Sequence, residues 1–160
     1  MADCARARGT QVIDAAIETC RPQIEAGGHK LNVEVGDRPV YLNADPVRLA
    51  QIISNLLTNA IKYSNDSSRI WITGVVGGDN VTIAVRDEGI GISAQMLACI
   101  FEIFTQADVS IKRAQGGMGI GLALVRALTE LHGGSVEARS DGIGKGSEFI
   151  VRLHGTVLAG

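Results

Sequence analysis

The chain is 160 residues long, 46% hydrophobic and 20% charged, with a formal net charge of −2. That size and balance suit one globular domain with a real core and exclude a disordered chain. Charges of both signs without a basic block exclude a nucleic-acid surface or direct membrane contact, and no apolar run approaches a membrane span, so a soluble, cytoplasmic domain is expected.

Residues 1–9 read as an N-terminal tail with no apolar signal core. Residues 10–26 carry Val12, Ile13, Ala16, Ile17, Cys20 and Ile24 at helical spacing; Pro22 is expected to kink or interrupt this helix and Gly27-Gly28 to end it. LNVEV (31–35) alternates as a half-buried strand does, and VYLNA follows the GDRP turn, so the pair is expected to be a hairpin. Asp45-Pro46 is a sharp helix start, with Asp as N-cap and Pro at the first helical position. Leu49, Ile53, Leu56, Leu57, Ala60 and Ile61 make the apolar face of that helix, to about Tyr63. Asn55, Asn59 and Lys62 fall at i, i+4 and i+7, a narrow polar line expected to point away from that face. RIWITGV (69–75) and VTIAVRD (81–87) flank the turn signal GGDN and read as a hairpin. A short helix near 94–99, then FEIF and the aperiodic QADVSIKRAQ, reads as a lid-like segment. Residues 119–132 read as an amphipathic helix with Leu124, Val125, Leu128 and Leu131 on its apolar side, stopped by Gly133. SVEARS and SEFIVRL close the chain as a hairpin around DGIGKG, and 155–160 read as a tail. Helix, hairpin, helix, hairpin, lid, helix, hairpin is the order of an α+β two-layer sandwich over residues 10–154, with a mostly antiparallel sheet and its helices on one face.

Four stretches carry chemistry. In NLLTNAIKYS (55–64) the asparagine amides offer neutral oxygens suited to Mg²⁺, and Lys62 offers a point charge for phosphate; the same pattern also fits a solvated helix face. Asp87 ends a strand before glycines in DEGIGI (87–92), where a carboxylate can accept from an exocyclic amine such as that of adenine. GIGISA within it also fits a permissive dinucleotide fingerprint, which demands a full helix and a parallel strand next. QGGMGIGL (115–122) leads glycines into a helix N-terminus, a ready anion site, with Lys112 and Arg113 just before it. GKGSEF (144–149) is not a P-loop, since Arg139 and Gly146 stand where that motif needs a glycine and a hydroxyl. Cys4, Cys20 and Cys99 are too scattered for a metal cage and read as reduced thiols.

NLLTNAIKY, DEGIGI, FEIF, GGMGIGL and GKGSEF, in this order, resemble the N, G1, F, G2 and G3 boxes of the sensor histidine kinase catalytic domain, of the Bergerat-type ATP-binding fold. The resemblance runs from about residue 10 to 153 and is greatest to bacterial two-component sensor or hybrid kinases. It implies ATP and Mg²⁺ as ligands. Asn59 would ligate the metal, Asn55 would help at the phosphates, Lys62 would contact phosphate, and these three would form the catalytic set. Tyr63 would lie near the nucleotide, and Asp87 would accept from the adenine amine, with Gly89, Gly91 and Ile92 shaping the pocket. Phe101 and Phe104 would anchor the lid, and Gly117, Met118, Gly119, Ile120 and Gly121 would form its closing hinge. Arg113 would reach the γ-phosphate, and Leu122 and Ser147 would border the pocket. Hydrolytic relatives carry a glutamate base four residues before the metal-binding asparagine, but here that place is Asn55, which takes no proton at neutral pH.

The resemblance therefore implies slow hydrolysis and transfer of the γ-phosphoryl group to a histidine. None of His29, His132 or His154 has the acidic neighbour and nearby proline of a phospho-acceptor, and His132 reads as a helix C-terminal residue, a place that suits a partly cationic side chain. The chain is thus expected to be an excised catalytic domain. Its partners would be a histidine-bearing dimerisation domain in a homodimeric parent, membrane-anchored or not, and the receiver domain of a response regulator. A nucleotide-binding regulatory module or a hydrolytic ATPase of the same superfamily is the alternative.

Overall fold

The computed structural model describes residues 6–36, 40–77, 79–101 and 118–157. In chain order these form β1 (Arg6–Arg8), α1 (Gly9–Ala26), β2 (Lys30–Val35), β3 (Val40–Asn43), α2 (Pro46–Lys62), β4 (Arg69–Gly77), β5 (Asn80–Asp87), α3 (Ala94–Leu97), α4 (Met118–Leu131), β6 (Ser135–Arg139) and β7 (Ser147–Val157). The expected α+β two-layer sandwich is present, as one sheet ordered β1-β3-β7-β5-β4-β2 with β6 on β7.

Helix α2 is the centre of the core because its sequence permits little else. Asp45 caps it, accepting from the N–H groups of Val47 at 2.9 Å and Arg48 at 3.4 Å, and Pro46 opens its first turn. Leu49, Ile52, Ile53, Leu56 and Leu57 are wholly buried between α1, α4 and the sheet. Each such side chain stabilises the fold by about 1.5–3 kcal/mol. The expected interruption of α1 at Pro22 does not occur. Val12, Ile13, Ala16, Ile17, Cys20 and Ile24 are all buried, on both sides of the proline. Burial of that stripe outweighs the roughly 3 kcal/mol cost of an interior proline.

Helices α1 and α4 end in the same way. His29 N–H reaches the Ile24 carbonyl and Gly28 N–H that of Glu25, while Gly134 N–H reaches Thr129 and Gly133 N–H reaches Glu130. Gly28 and Gly133 take the positive φ this double bond requires, 65° and 74°. Leu131, expected on the apolar side of α4, is 70% exposed. It is the last helical residue, beyond the reach of the core that Leu122, Val125 and Leu128 enter.

The β4–β5 and β6–β7 hairpins form as expected, with Ile70 opposite Asp87 and Ala138 opposite Phe149. The β2–β3 hairpin does not. β2 runs parallel to β4 at one edge, and β3 pairs with β1 and β7 on the other side of the sheet. Alternation says which face of a strand is buried, not which neighbour its N–H groups meet. Here α2 supplies the crossover that parallel pairing needs. Residues 6–8 and 155–157, read as tail, belong to the sheet, because β3 pairs with both segments.

His132 ties the two central helices together. Its Nδ1 lies 2.8 Å from the Leu128 carbonyl and its Nε2 is 3.2 Å from the Asp45 N–H. An acceptor on one side and a donor on the other are matched by the ring tautomer that carries its proton on Nδ1.

Candidate functional site

Asp87 is the best-defined polar group of the site. Residue alternation along β5 turns it to the same face as Val81, Ile83 and Val85, and it is 4% exposed. Gly89 N–H donates to Oδ1 and Ser147 Oγ to Oδ2, each at 2.8 Å. Burial raises its pKa above the ordinary carboxylate value, opposed by the bonds from Gly89 and Ser147. Each oxygen keeps acceptor capacity, so the group is a fixed acceptor for a ligand N–H.

The loop after Asp87 is clamped from two sides. Ile90 N–H donates to the Tyr63 carbonyl at 2.9 Å, joining the loop to the end of α2. A Cβ on Gly89 would strike that same carbonyl, so glycine is required there. From the other side, Gly146 N–H donates to Gly89 at 3.1 Å and Gly144 N–H to Ile90 at 2.7 Å. Gly91 lies within this clamped loop, and Ile92 behind it is buried in the core. The dinucleotide fingerprint does not fit: among the described residues the four-residue α3 follows it, and β5 pairs antiparallel on both sides.

On α2 the asparagine line divides. Lys62 is exposed and Asn55 half-buried, but Asn59 is 6% exposed, not turned away from the apolar face as expected. Helix α4 lies over it: a Cβ on Gly121 would sit 3.9 Å from its amide nitrogen. Its Nδ2 has no hydrogen-bond partner among the described residues, nor does the buried Ser64 hydroxyl. A buried amide nitrogen without a partner costs about 1–3 kcal/mol and calls for an explanation. Among the described residues no group of three His, Cys, Asp or Glu could hold a metal ion.

Tyr63 packs half-buried against the core, Leu122 is wholly buried, and Phe101 meets Phe149 edge to face at 6.2 Å. Met118, Gly119 and Ile120 begin α4. Phe104, Arg113, Gly117 and the lid-like stretch lie outside the described residues. Ser140, which binds both site loops, was not singled out from the sequence, because a serine after a strand carries no motif.

Residues 44–156 match the model of the histidine kinase-, DNA gyrase B-, and HSP90-like ATPases. The chain belongs to this ATPase family. The circadian input-output histidine kinase CikA of Synechococcus elongatus is 41% identical over 121 residues, which are 76% of this chain and 16% of that protein. The sensor histidine kinase YclK of Bacillus subtilis is 38% identical over 144 residues, 89% of this chain and 30% of that protein. RcsC of Escherichia coli, another sensor histidine kinase, is 42% identical over 117 residues, covering 73% of this chain and 12% of that protein. The chain thus spans less than a third of each of these relatives. Among solved structures, the mycobacterial sensor histidine kinase MprB shares the fold with a TM-score of 0.82 at 24% identity, covering 96% of this chain and 99% of that one. Full-length ShkA in complex with AMPPNP gives 0.78 at 28% identity, over 98% of this chain and 32% of that one. ATP-family membership implies nucleotide binding, and no helix among the described residues is long and apolar enough to cross a membrane.

Proposed function

We propose that this family member is the ATP-binding catalytic part of a sensor histidine kinase, transferring the γ-phosphoryl group of ATP to a histidine on a dimerisation domain outside the chain. Asp87 carries the reading: a buried carboxylate, both oxygens pinned, accepts the adenine amine and rejects a guanine carbonyl at that edge. The bond from Ile90 to the Tyr63 carbonyl joins the loop after Asp87 to the end of α2 and supports a role for Asn59 near the phosphates. The kinase names of CikA, YclK and RcsC and the AMPPNP bound to ShkA support it.

Asn59, helped by Asn55, would hold Mg²⁺, which supplies neutralisation of phosphate charge when bound. Lys62 would meet a phosphate oxygen, and Arg113 would approach the γ-phosphate. Gly117, Met118, Gly119, Ile120 and Gly121 would close over the phosphates, with Phe104 beside them. The acceptor imidazole nitrogen forms a bond to the γ-phosphorus while the bond to the β–γ bridging oxygen breaks, and ADP leaves. Asn55 offers no base for water, so the domain works by positioning the transfer in line. A receiver domain would take the phosphoryl group next. The parent would be a homodimer whose catalytic part works in the cytoplasm.

The chain is incubated with its dimerisation domain and γ-labelled ATP. Label on a histidine, with slow turnover by the chain alone, is the expected result. Rapid steady-state hydrolysis without the second domain favours a hydrolytic ATPase and overturns the proposal.

A further inference from the structure

We infer that Ser140 is a positioning residue for the adenine end of the site, an inference that rests on the nucleotide reading of Asp87. Its hydroxyl uses its full capacity. It donates to the Gly146 carbonyl at 2.6 Å and accepts from the N–H groups of Ile92 at 3.0 Å and Gly142 at 3.2 Å. Ile92 belongs to the loop after β5, and Gly142 and Gly146 to the turn between β6 and β7. One side chain thus joins two loops that are also linked by backbone bonds, Gly146 to Gly89 and Gly144 to Ile90.

The consequence reaches Asp87 by two routes. The loop after β5 supplies the Gly89 N–H on Oδ1, and the turn leads directly into Ser147, whose hydroxyl holds Oδ2. A carboxylate that must meet one exocyclic amine depends on both of its anchors keeping their places. Ser140 holds both anchoring segments, and its hydrogen bonds go to Ile92, Gly142 and Gly146 rather than to Asp87. Ser140→Ala leaves the buried Ile92 N–H and the Gly146 carbonyl without this partner, and the two loops separate.

Calorimetric titration of the 160-residue chain with AMPPNP and with ADP tests this. Ser140→Ala should weaken both nucleotides by the same factor, about tenfold, because the loss lies at the base and not the phosphates. Ser140→Thr, which keeps the hydroxyl, should return both to within about twofold of wild type. The Ile92 amide proton resonance should move in Ser140→Ala and return in Ser140→Thr. Ser140→Ala affinity within twofold of wild type, or failure of Ser140→Thr to restore it, overturns the inference, whatever happens to the melting temperature. Should Ser140→Ala not fold, Ser140→Cys, a poor acceptor, replaces it with an expected loss of at least threefold; wild-type affinity in that variant overturns the inference equally. A wild-type chain that binds neither nucleotide overturns the underlying reading as well.

Discussion

The two ends of the site are built on opposite plans. Around Asp87 the polar groups are bonded to one another: two donors on the carboxylate, backbone bonds across the loops and a saturated Ser140 hydroxyl. Between α2 and α4, the Asn59 amide is buried with its nitrogen unpartnered. The first arrangement is complete in itself, whereas the second leaves a donor open. A preorganised acceptor binds a donor at low cost, and under the proposed function the open amide is kept for the reacting end of the nucleotide.

The largest expected effect is at Asp87. Asp87→Asn should weaken AMPPNP binding at least a hundredfold, about 2.7 kcal/mol, because the adenine amine then meets a donor. Stability should move the other way. The folded-state pKa of Asp87 is raised by burial, so the folded state binds its proton more tightly than the unfolded state does. The wild type therefore loses stability relative to Asp87→Asn as pH rises from the ordinary carboxylate value through the folded pKa, and the difference persists at neutral pH. Urea unfolding of both proteins across that range measures it; the opposite slope would place the carboxylate among favourable charges instead.

Gly89→Ala comes next. Its Cβ meets the Tyr63 carbonyl, so the loop must shift at a cost of about 2–3 kcal/mol in unfolding free energy, with nucleotide affinity lost alongside. Asn59→Ala should separate the two properties: about tenfold weaker Mg–AMPPNP binding, yet unfolding free energy within about 1 kcal/mol of wild type, since the amide it removes has no partner on its nitrogen. A large stability loss there would remove the contrast between the two ends. Gly121→Ala is the smallest change. Its Cβ makes ordinary contact with Asn59, and alanine in a helix should raise stability by up to about 1 kcal/mol in thermal unfolding.

Features specified by neighbours in sequence were legible, and those specified by distant packing were not. Asp45-Pro46 announces α2 because a cap is a local bond, and the two tight hairpins are announced by their turns. The partner of β2 is chosen by a crossover of more than thirty residues, which alternation does not encode. Pro22 misleads because the burial that overrides it comes from α2. Asn59 looked like a surface residue on a helical wheel, but the wheel does not show that α4 will cover it. A carboxylate before glycines marks Asp87; Ser140 carries no such local signal, because its bond to Ile92 joins segments about fifty residues apart.

Strand β7 joins β5, β6 and β3, and its first residue holds Asp87. A nascent chain emerging from the ribosome therefore displays α1, α2 and the β4–β5 hairpin before the strand that unites them exists. The sheet closes, and the carboxylate gains its second anchor, only after residues 147–157 have been made, so this domain should depend on late, long-range assembly and should tolerate no deletion within its final strand.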